Sequence, residues 1–475
     1  MTRSSNRKKR TKLKAKLGTA KRVIKRSTRK AGAVIGTGGY GCVFSPPLPC
    51  EGESRPGNDV VSKLLYKVEA MKEMKEIEKA KKVLSRIPDA NKYFSVMDVK
   101  KCQLGELTED DIKGKNCDAI DVYHVKNQMR DAGYDNTVAL LQQKNLGMPF
   151  DQYVLKEVKS GEQMSNLLTN MKELLMKGIV PMNNLGVYHE DLKSDNILVQ
   201  NGQPTIIDWG LAVINENGGP ITKAEFANND VFWNEIEGKP AMTANPLFNN
   251  PLVGAAFFIP AEPDEQVGIV KRQLQLEGRS DEAKVQSLLE DLQGEPHFAL
   301  IESQILPIAL DYLQQVGYKQ QGSLHETPDS LLEEYLQRNL NAYSPIESHY
   351  DEFVKNFQAN IDLWGWAMSV GLLVTEDDVP SFFTTNKEVR NYYGGLSKMI
   401  YYLFTEGAVK IDPNRLVEYL DEIYPAGGAS SASATSAIAS TPTQGGKKRA
   451  SRRRYKNKSK SKSRKHHRNK KHHRK

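Results

Sequence analysis

The stretch Val187-Tyr188-His189-Glu190-Asp191-Leu192-Lys193-Ser194-Asp195-Asn196-Ile197-Leu198-Val199 is followed, twelve residues after Asn196, by Asp208-Trp209-Gly210. Four polar residues thus stand at fixed spacing between apolar segments, and each suits one task in moving a phosphoryl group. Asp191 can accept the proton of an attacking hydroxyl and Lys193 can steady the group in transit; Asn196 and Asp208 offer the hard oxygen donors that Mg²⁺ prefers. A single Asp or Asn in a polar loop is usually solvated surface. The combined spacing argues against that reading here. Ile197 to Gln200 and Thr205 to Ile207 read as short strands joined by the turn Asn201-Gly202-Gln203-Pro204. Asn196 and Asp208 are therefore predicted at neighbouring ends of one hairpin.

Upstream, the apolar Ala33-Val34-Ile35 leads into Gly36-Thr37-Gly38-Gly39-Tyr40-Gly41-Cys42-Val43. Glycines in such a turn let backbone amides come close to phosphate groups. Alone the motif is weak, because dinucleotide-binding turns share it. A strand-like Val60-Val61-Ser62-Lys63 follows, and then a stretch from Glu69 to Leu84 whose Met74, Ile77, Ala80 and Leu84 fall on one helical face.

In this order the segments resemble protein kinases, whose signatures are the glycine loop G-x-G-x-x-G-x-V, the strand V-A-I-K, the catalytic loop H-R-D-L-x-x-x-N and the metal motif D-F-G. The resemblance spans roughly residues 31 to 425 and implies an α+β, bilobal protein-kinase-like fold, with a small β-rich N-lobe and a large helical C-lobe. It implies ATP and Mg²⁺ as cofactors, with Asp191 and Lys193 catalytic and Asn196 and Asp208 holding the metal. Ile35, Gly36, Thr37, Gly38, Gly39, Gly41 and Val43 would line the nucleotide, and Lys63 would grip its α- and β-phosphates. Glu73 and Glu76 are both candidates to pair with Lys63, and Glu73 is preferred. Lys193, two residues past Asp191, is the pattern typical of kinases acting on Ser or Thr.

Further landmarks carry the same resemblance. Leu140 to Leu146 fits the strand and hinge beside adenine, and Leu167, Met171, Leu174, Leu175 and Ile179 mark a buried helix leading to the catalytic loop. Asn360-Ile361-Asp362-Leu363-Trp364-Gly365 resembles the helix whose Asp braces that loop from below, and Asp412-Pro413-Asn414-Arg415 the late Arg motif. The departures narrow the family. Glu190 stands where many kinases carry the Arg that reads a phosphorylated loop, which implies activity independent of phosphorylation at Thr222 or Thr243. Trp209 replaces Phe; no A-P-E follows, and Asn245 to Pro251 is the candidate for its place, leaving the partner of Arg415 open. Asp208 and Asp362 are 154 residues apart, so an insertion of added helices is expected at about 260 to 350, including Phe298 to Tyr318 and Ser330 to Tyr343. Lys101 to Val125 reads as a second, short insertion before the hinge strand. The combination is similar to the divergent serine/threonine kinases of large nucleocytoplasmic DNA viruses.

Charge is the second informative feature, because the net charge of +9 hides an asymmetry. Residues 1 to 30 carry fourteen Lys or Arg and residues 447 to 475 seventeen, with no acid in either, so the body holds 36 basic against 58 acidic residues. Residues 1–30 form a basic arm, 31–144 the expected N-lobe, 145–425 the C-lobe, 426–446 a flexible Gly/Ala/Ser/Thr linker and 447–475 a basic tail expected to be disordered. Such a tail suits the backbone of DNA or RNA, largely blind to sequence, since Tyr455 is its sole aromatic. A nuclear address, a solubility tail and docking onto the acidic body are alternatives. Ser451, Ser459, Ser461 and Ser463, set among basic residues, are candidate phosphorylation sites, and His466, His467, His472 and His473 add charge as pH falls.

The remaining expectations are negative or bland. The apolar runs Leu252 to Ile259 and Trp364 to Val374 fall short of the ~20 residues of a membrane helix, and the basic N-terminus lacks the apolar core of a secretory signal. An intracellular setting follows, in the host nucleus or cytoplasm or packaged in a virion. Cys42, Cys50, Cys102 and Cys117 show no C-x-x-C spacing, so free thiols are expected, with a Cys102 to Cys117 link as the alternative. A packaging or scaffold protein built on a silent kinase-like body is the rival class. It would need a missing Lys, Asp or Asn, and none is missing.

Overall fold

The computed structural model describes residues 33–38, 41–107, 111, 138–215, 279–293, 301–318, 325, 327–343, 346–376 and 379–424. The chain divides into a unit Met1–Gly428 and a unit Ala429–Lys475, and all elements below belong to the first. The expected basic arm, linker and tail, with their serines and histidines, lie outside the described residues.

The fold is mixed α+β. Its main sheet is fully antiparallel, in the order β1-β2-β3-β5-β4, from β1 (Ala33–Gly38), β2 (Gly41–Ser45), β3 (Val60–Tyr66), β4 (Lys100–Cys102) and β5 (Val138–Lys144). Alternation with period two sends neighbouring leucines to opposite faces. Leu64 and Leu140 join Cys42, Phe44, Leu48, Leu104 and Val138 in a small core, while Leu65 and Leu141 face the large one. There they meet α1 (Lys67–Leu84), which buries Ala70, Ile77, Ala80, Val83 and Leu84. Burying a side chain such as Ile77 or Leu84 contributes about 2 kcal/mol. Glycine is required at position 41, because a Cβ there would lie 2.3 Å from the Leu64 carbonyl oxygen.

Two expectations are corrected in this region. Lys100–Cys102 is the edge strand β4, paired with Gln142, Leu141 and Leu140, so the short insertion expected from Lys101 begins inside a sheet strand. Of that segment, residues 108–110 and 112–125 lie outside the described residues. None of the described cysteines is a free thiol: Cys50 and Cys102 form a disulfide with Cα atoms 5.7 Å apart, which rules out the Cys102 to Cys117 alternative, and Cys42 is also disulfide-bonded. The pairing is long-range, because a bridge between Cys50 and Leu104 lays residue 50 alongside the end of β4. Fifty-two residues of separation hide it from the sequence.

Past β5 come β6 (Met148–Pro149), α2 (Phe150–Lys156) and α3 (Gly161–Glu173), the last capped by Ser160, whose hydroxyl accepts from the Gln163 N–H. α3 runs on through a wider π turn, Leu174–Ile179, into Val180–Asn184, which has Pro181 in its first turn. A second π turn, Ile301–Ile305, likewise precedes a helix with Pro307 in its first turn. Proline lacks the N–H of a regular helical bond, and widening the preceding turn relieves its ring clash. Two small sheets follow: β7 (Val187–Tyr188) pairs with β10 (Val213–Ile214), and β8 (Ile197–Gln200) lies between β6 and β9 (Gln203–Ile206). The β8–β9 turn is Asn201-Gly202 alone, both at positive φ (52° and 79°), so Gln203 and Pro204 belong to the strand and not to the expected four-residue turn.

The described part of the expected insertion is helical: α4 (Asp281–Gln293), α5 (Leu306–Gln315) and α6 (Pro328–Tyr343). They share one core with α7 (Ile346–Gly371), α8 (Asn386–Phe404) and α9 (Pro413–Ile423). Residue 350, near the expected limit of that insertion, falls just past the first turn of α7. Among the described residues no helix is long and apolar enough to cross a membrane.

Candidate active site

Three charged residues, from β3, from α1 and from the segment just after β9, meet beside the main sheet. Lys63 on β3 donates to both carboxylate oxygens of Glu73 on α1 (3.0 and 2.9 Å) and to Oδ1 of Asp208 (3.0 Å). Glu76, the other candidate, is paired with Lys79 one turn along its own helix. Burial alone would lower the Lys63 pKa, but the charges of Asp208 and Glu73 raise it. Burial would push the Asp208 carboxyl up; Lys63 outweighs it and holds the group below its ordinary value, although 43% of the side chain is exposed.

Asp191 centres a second set of contacts. Lys193 Nζ donates to its Oδ2 at 2.7 Å, and the Asn196 amide nitrogen donates to the same oxygen at 2.9 Å and to the Asp191 carbonyl at 2.8 Å. That leaves the carbonyl oxygen as the Asn196 side chain's remaining donor atom for a cation. The Asn196 backbone carbonyl accepts from the Ile207 N–H at 3.0 Å, and Ile197 pairs with Ile206, so Asn196 and Asp208 flank neighbouring ends of the β8–β9 hairpin. Among the described residues no group of three or more His, Cys, Asp and Glu could hold a metal unaided. One carboxylate with one carboxamide suits Mg²⁺, which is commonly held by one or two carboxylates together with substrate phosphates.

The loop around Asp191 is fixed from beneath. Asp362 on α7 accepts from the backbone N–H of His189 at 2.9 Å and of Glu190 at 3.0 Å, one bond to each oxygen. His189 Nδ1 accepts from the Asp191 N–H at 3.3 Å, so its Nε2 carries the proton donated to the Ile207 carbonyl at 2.9 Å. Burial pushes its pKa below the usual imidazole value and keeps that ring neutral. The ring packs edge-on against buried Trp209 (centroids 4.9 Å apart), and Trp209 against Phe94 (5.7 Å). Glu190 and Asp208 have left-handed backbones, φ 62° and 65°, each costing about 1 kcal/mol or more. The contacts of Asp362, Asn196 and Lys63 hold them there.

The glycine segment occupies the hairpin β1–β2. Thr37 pairs with Cys42, Gly38 with Gly41, and Gly36 with Val43, which lies across from Lys63 on β3. A bulge falls at Ile35, which is 47% exposed. Gly39, Thr222, Thr243 and Asn245 to Pro251 lie outside the described residues. Arg415, whose partner the sequence left open, is paired with Glu418 and with Glu406 at 3.6 Å. Sequence reading missed the reciprocal contact of Ser194 and Asp151: the serine hydroxyl donates to Asp151 Oδ1 and accepts from the Asp151 N–H, both at 2.9 Å, tying the loop to the start of α2. Neither residue carries a motif that would have announced it. No protein-family model matches this chain, and no curated protein does either.

Proposed function

We propose that the chain is an ATP-dependent protein kinase that transfers the γ-phosphate to Ser or Thr hydroxyls, built on a bilobal kinase-like fold of the divergent viral type. The observation that carries this reading is Lys63 held between Glu73 and Asp208, beside an Asp191 that is itself held by Lys193 and Asn196. Asp191 accepts the proton of the acceptor hydroxyl as its oxygen bonds to the γ-phosphorus and the bond to the β-phosphate oxygen breaks. Lys193 neutralises charge on the migrating group. Lys63 would turn from Asp208 to the α- and β-phosphates, Asp208 and Asn196 would hold Mg²⁺, and the kinase resemblance would put the glycine segment over the phosphates. Mg²⁺, when bound, offsets the charge that develops on the phosphate oxygens. Ser/Thr preference follows the resemblance carried by Lys193.

The basic ends fit association with nucleic acid or a virion, in the host nucleus or cytoplasm. The test incubates the full chain with γ-labelled ATP and a basic protein substrate, with and without Mg²⁺. Mg²⁺-dependent phosphoserine or phosphothreonine is expected, and no label in either amino acid would contradict the reading. Removing residues 1–30 and 447–475 should spare this transfer and abolish retention of DNA or RNA. Retention without transfer by the intact chain would favour the scaffold alternative.

A further inference from the structure

Glu190 sits between His189 and Asp191, and its side chain turns inward. The residue is partly buried, its Oε1 is sealed from solvent, and that atom has no hydrogen-bond partner among the described residues. Its own N–H donates to Asp362 Oδ1, and the charge of Asp362 acts on the Glu190 carboxyl. Among the described residues the titratable groups facing it are Asp362 from α7 and Tyr188 from β7, with His189 beside it, and none of these supplies a positive charge. A carboxyl whose Oε1 is sealed from water without a hydrogen bond, near a second carboxylate, loses hydration that the described residues do not replace, which favours keeping its proton.

We infer that Glu190 is a positioning residue, an uncharged acid packed with Asp362 under the loop, whose proton keeps Asp191 in register with its reacting partner. Burial first, and the charge of Asp362 second, push the Glu190 carboxyl well above its usual range. Burial likewise pushes Asp362 up to about 7, against the pull of the His189 and Glu190 N–H groups. Both acids bind protons more tightly folded than unfolded. The stability they contribute is complete below the ordinary carboxylate range and is lost as pH rises through their raised values. Deprotonation puts two negative charges under one strained turn. The effect on turnover rests on the proposed phosphotransfer, whereas the protonation of Glu190 can be read without it.

The experiment follows thermal unfolding of the full chain from about pH 5 to about pH 9 for wild type, Glu190→Gln and Glu190→Met. Wild type should lose stability as pH rises, and both variants should lose less, by up to about tenfold in the unfolding constant per pH unit while the acid titrates. In the same preparations the wild-type phosphotransfer rate should fall on the alkaline side at constant KM for ATP, and Glu190→Gln should flatten that fall. Profiles in both variants as steep as wild type, or failure of both to fold, would overturn the positioning role. Absence of transfer by wild type at every pH, with the unfolding difference intact, would strike the phosphotransfer reading while supporting Glu190 as a protonated acid.

Discussion

The two sides of the Lys63–Asp208 contact are built differently. On one side the hairpin β1–β2 lies at the edge of a sheet, with a bulge at exposed Ile35. On the other, the turn from His189 to Asn196 is fixed by Asp362, by the His189 ring, by Asn196 and by Ser194, and it carries a left-handed residue that only such bracing sustains. The side proposed to admit a nucleotide is held at its margin, and the side proposed to do chemistry is over-determined. Removing contacts should therefore cost most beneath the loop and least along the hairpin.

The largest expected effect is Trp209→Ala. It opens a cavity between Phe94 and His189 and should cost about 3–5 kcal/mol of stability in denaturant titrations. Asp362→Ala comes next: it strands two backbone N–H groups and should cost about 2–4 kcal/mol, with phosphotransfer falling alongside. At the opposite edge of the same sheet, replacing both Cys50 and Cys102 by Ala should lower stability by about 2–4 kcal/mol, read as a drop in Tm. Gly41→Ala drives a methyl into the Leu64 carbonyl and should cost about 1–3 kcal/mol and raise KM for ATP. Gly36→Ala is the contrast, meeting among the described residues only Val43 at 3.8 Å, and should change stability by less than about 0.5 kcal/mol. A Gly36 variant as damaging as Gly41→Ala would break the comparison.

How much of this could be read from sequence follows the range of each interaction. Asp191, Lys193, Asn196 and Asp208 lie within eighteen residues, so spacing and a strand-turn-strand pattern bring them together. The hairpin was legible because Asn201-Gly202 tolerates two positive φ angles, though its strand starts at Gln203 and the turn is two residues shorter than expected. The helical face of α1 left Glu73 and Glu76 open, and the choice rests on which one faces β3. The Cys50–Cys102 link depends on β4 joining the sheet, a pairing that three polar-leaning residues, Lys100 to Cys102, do not advertise. The inward turn of Glu190 was illegible for a similar reason: a charged letter reads as surface until its φ and the Asp362 beneath it are known.

The most direct test is γ-phosphate transfer by Asp191→Asn, with Mg-ATP binding measured on the same sample. The variant should bind nucleotide as wild type does, because Lys63, Asn196 and Asp208 remain, and should transfer at least about a hundredfold more slowly. Transfer at the wild-type rate would contradict the account.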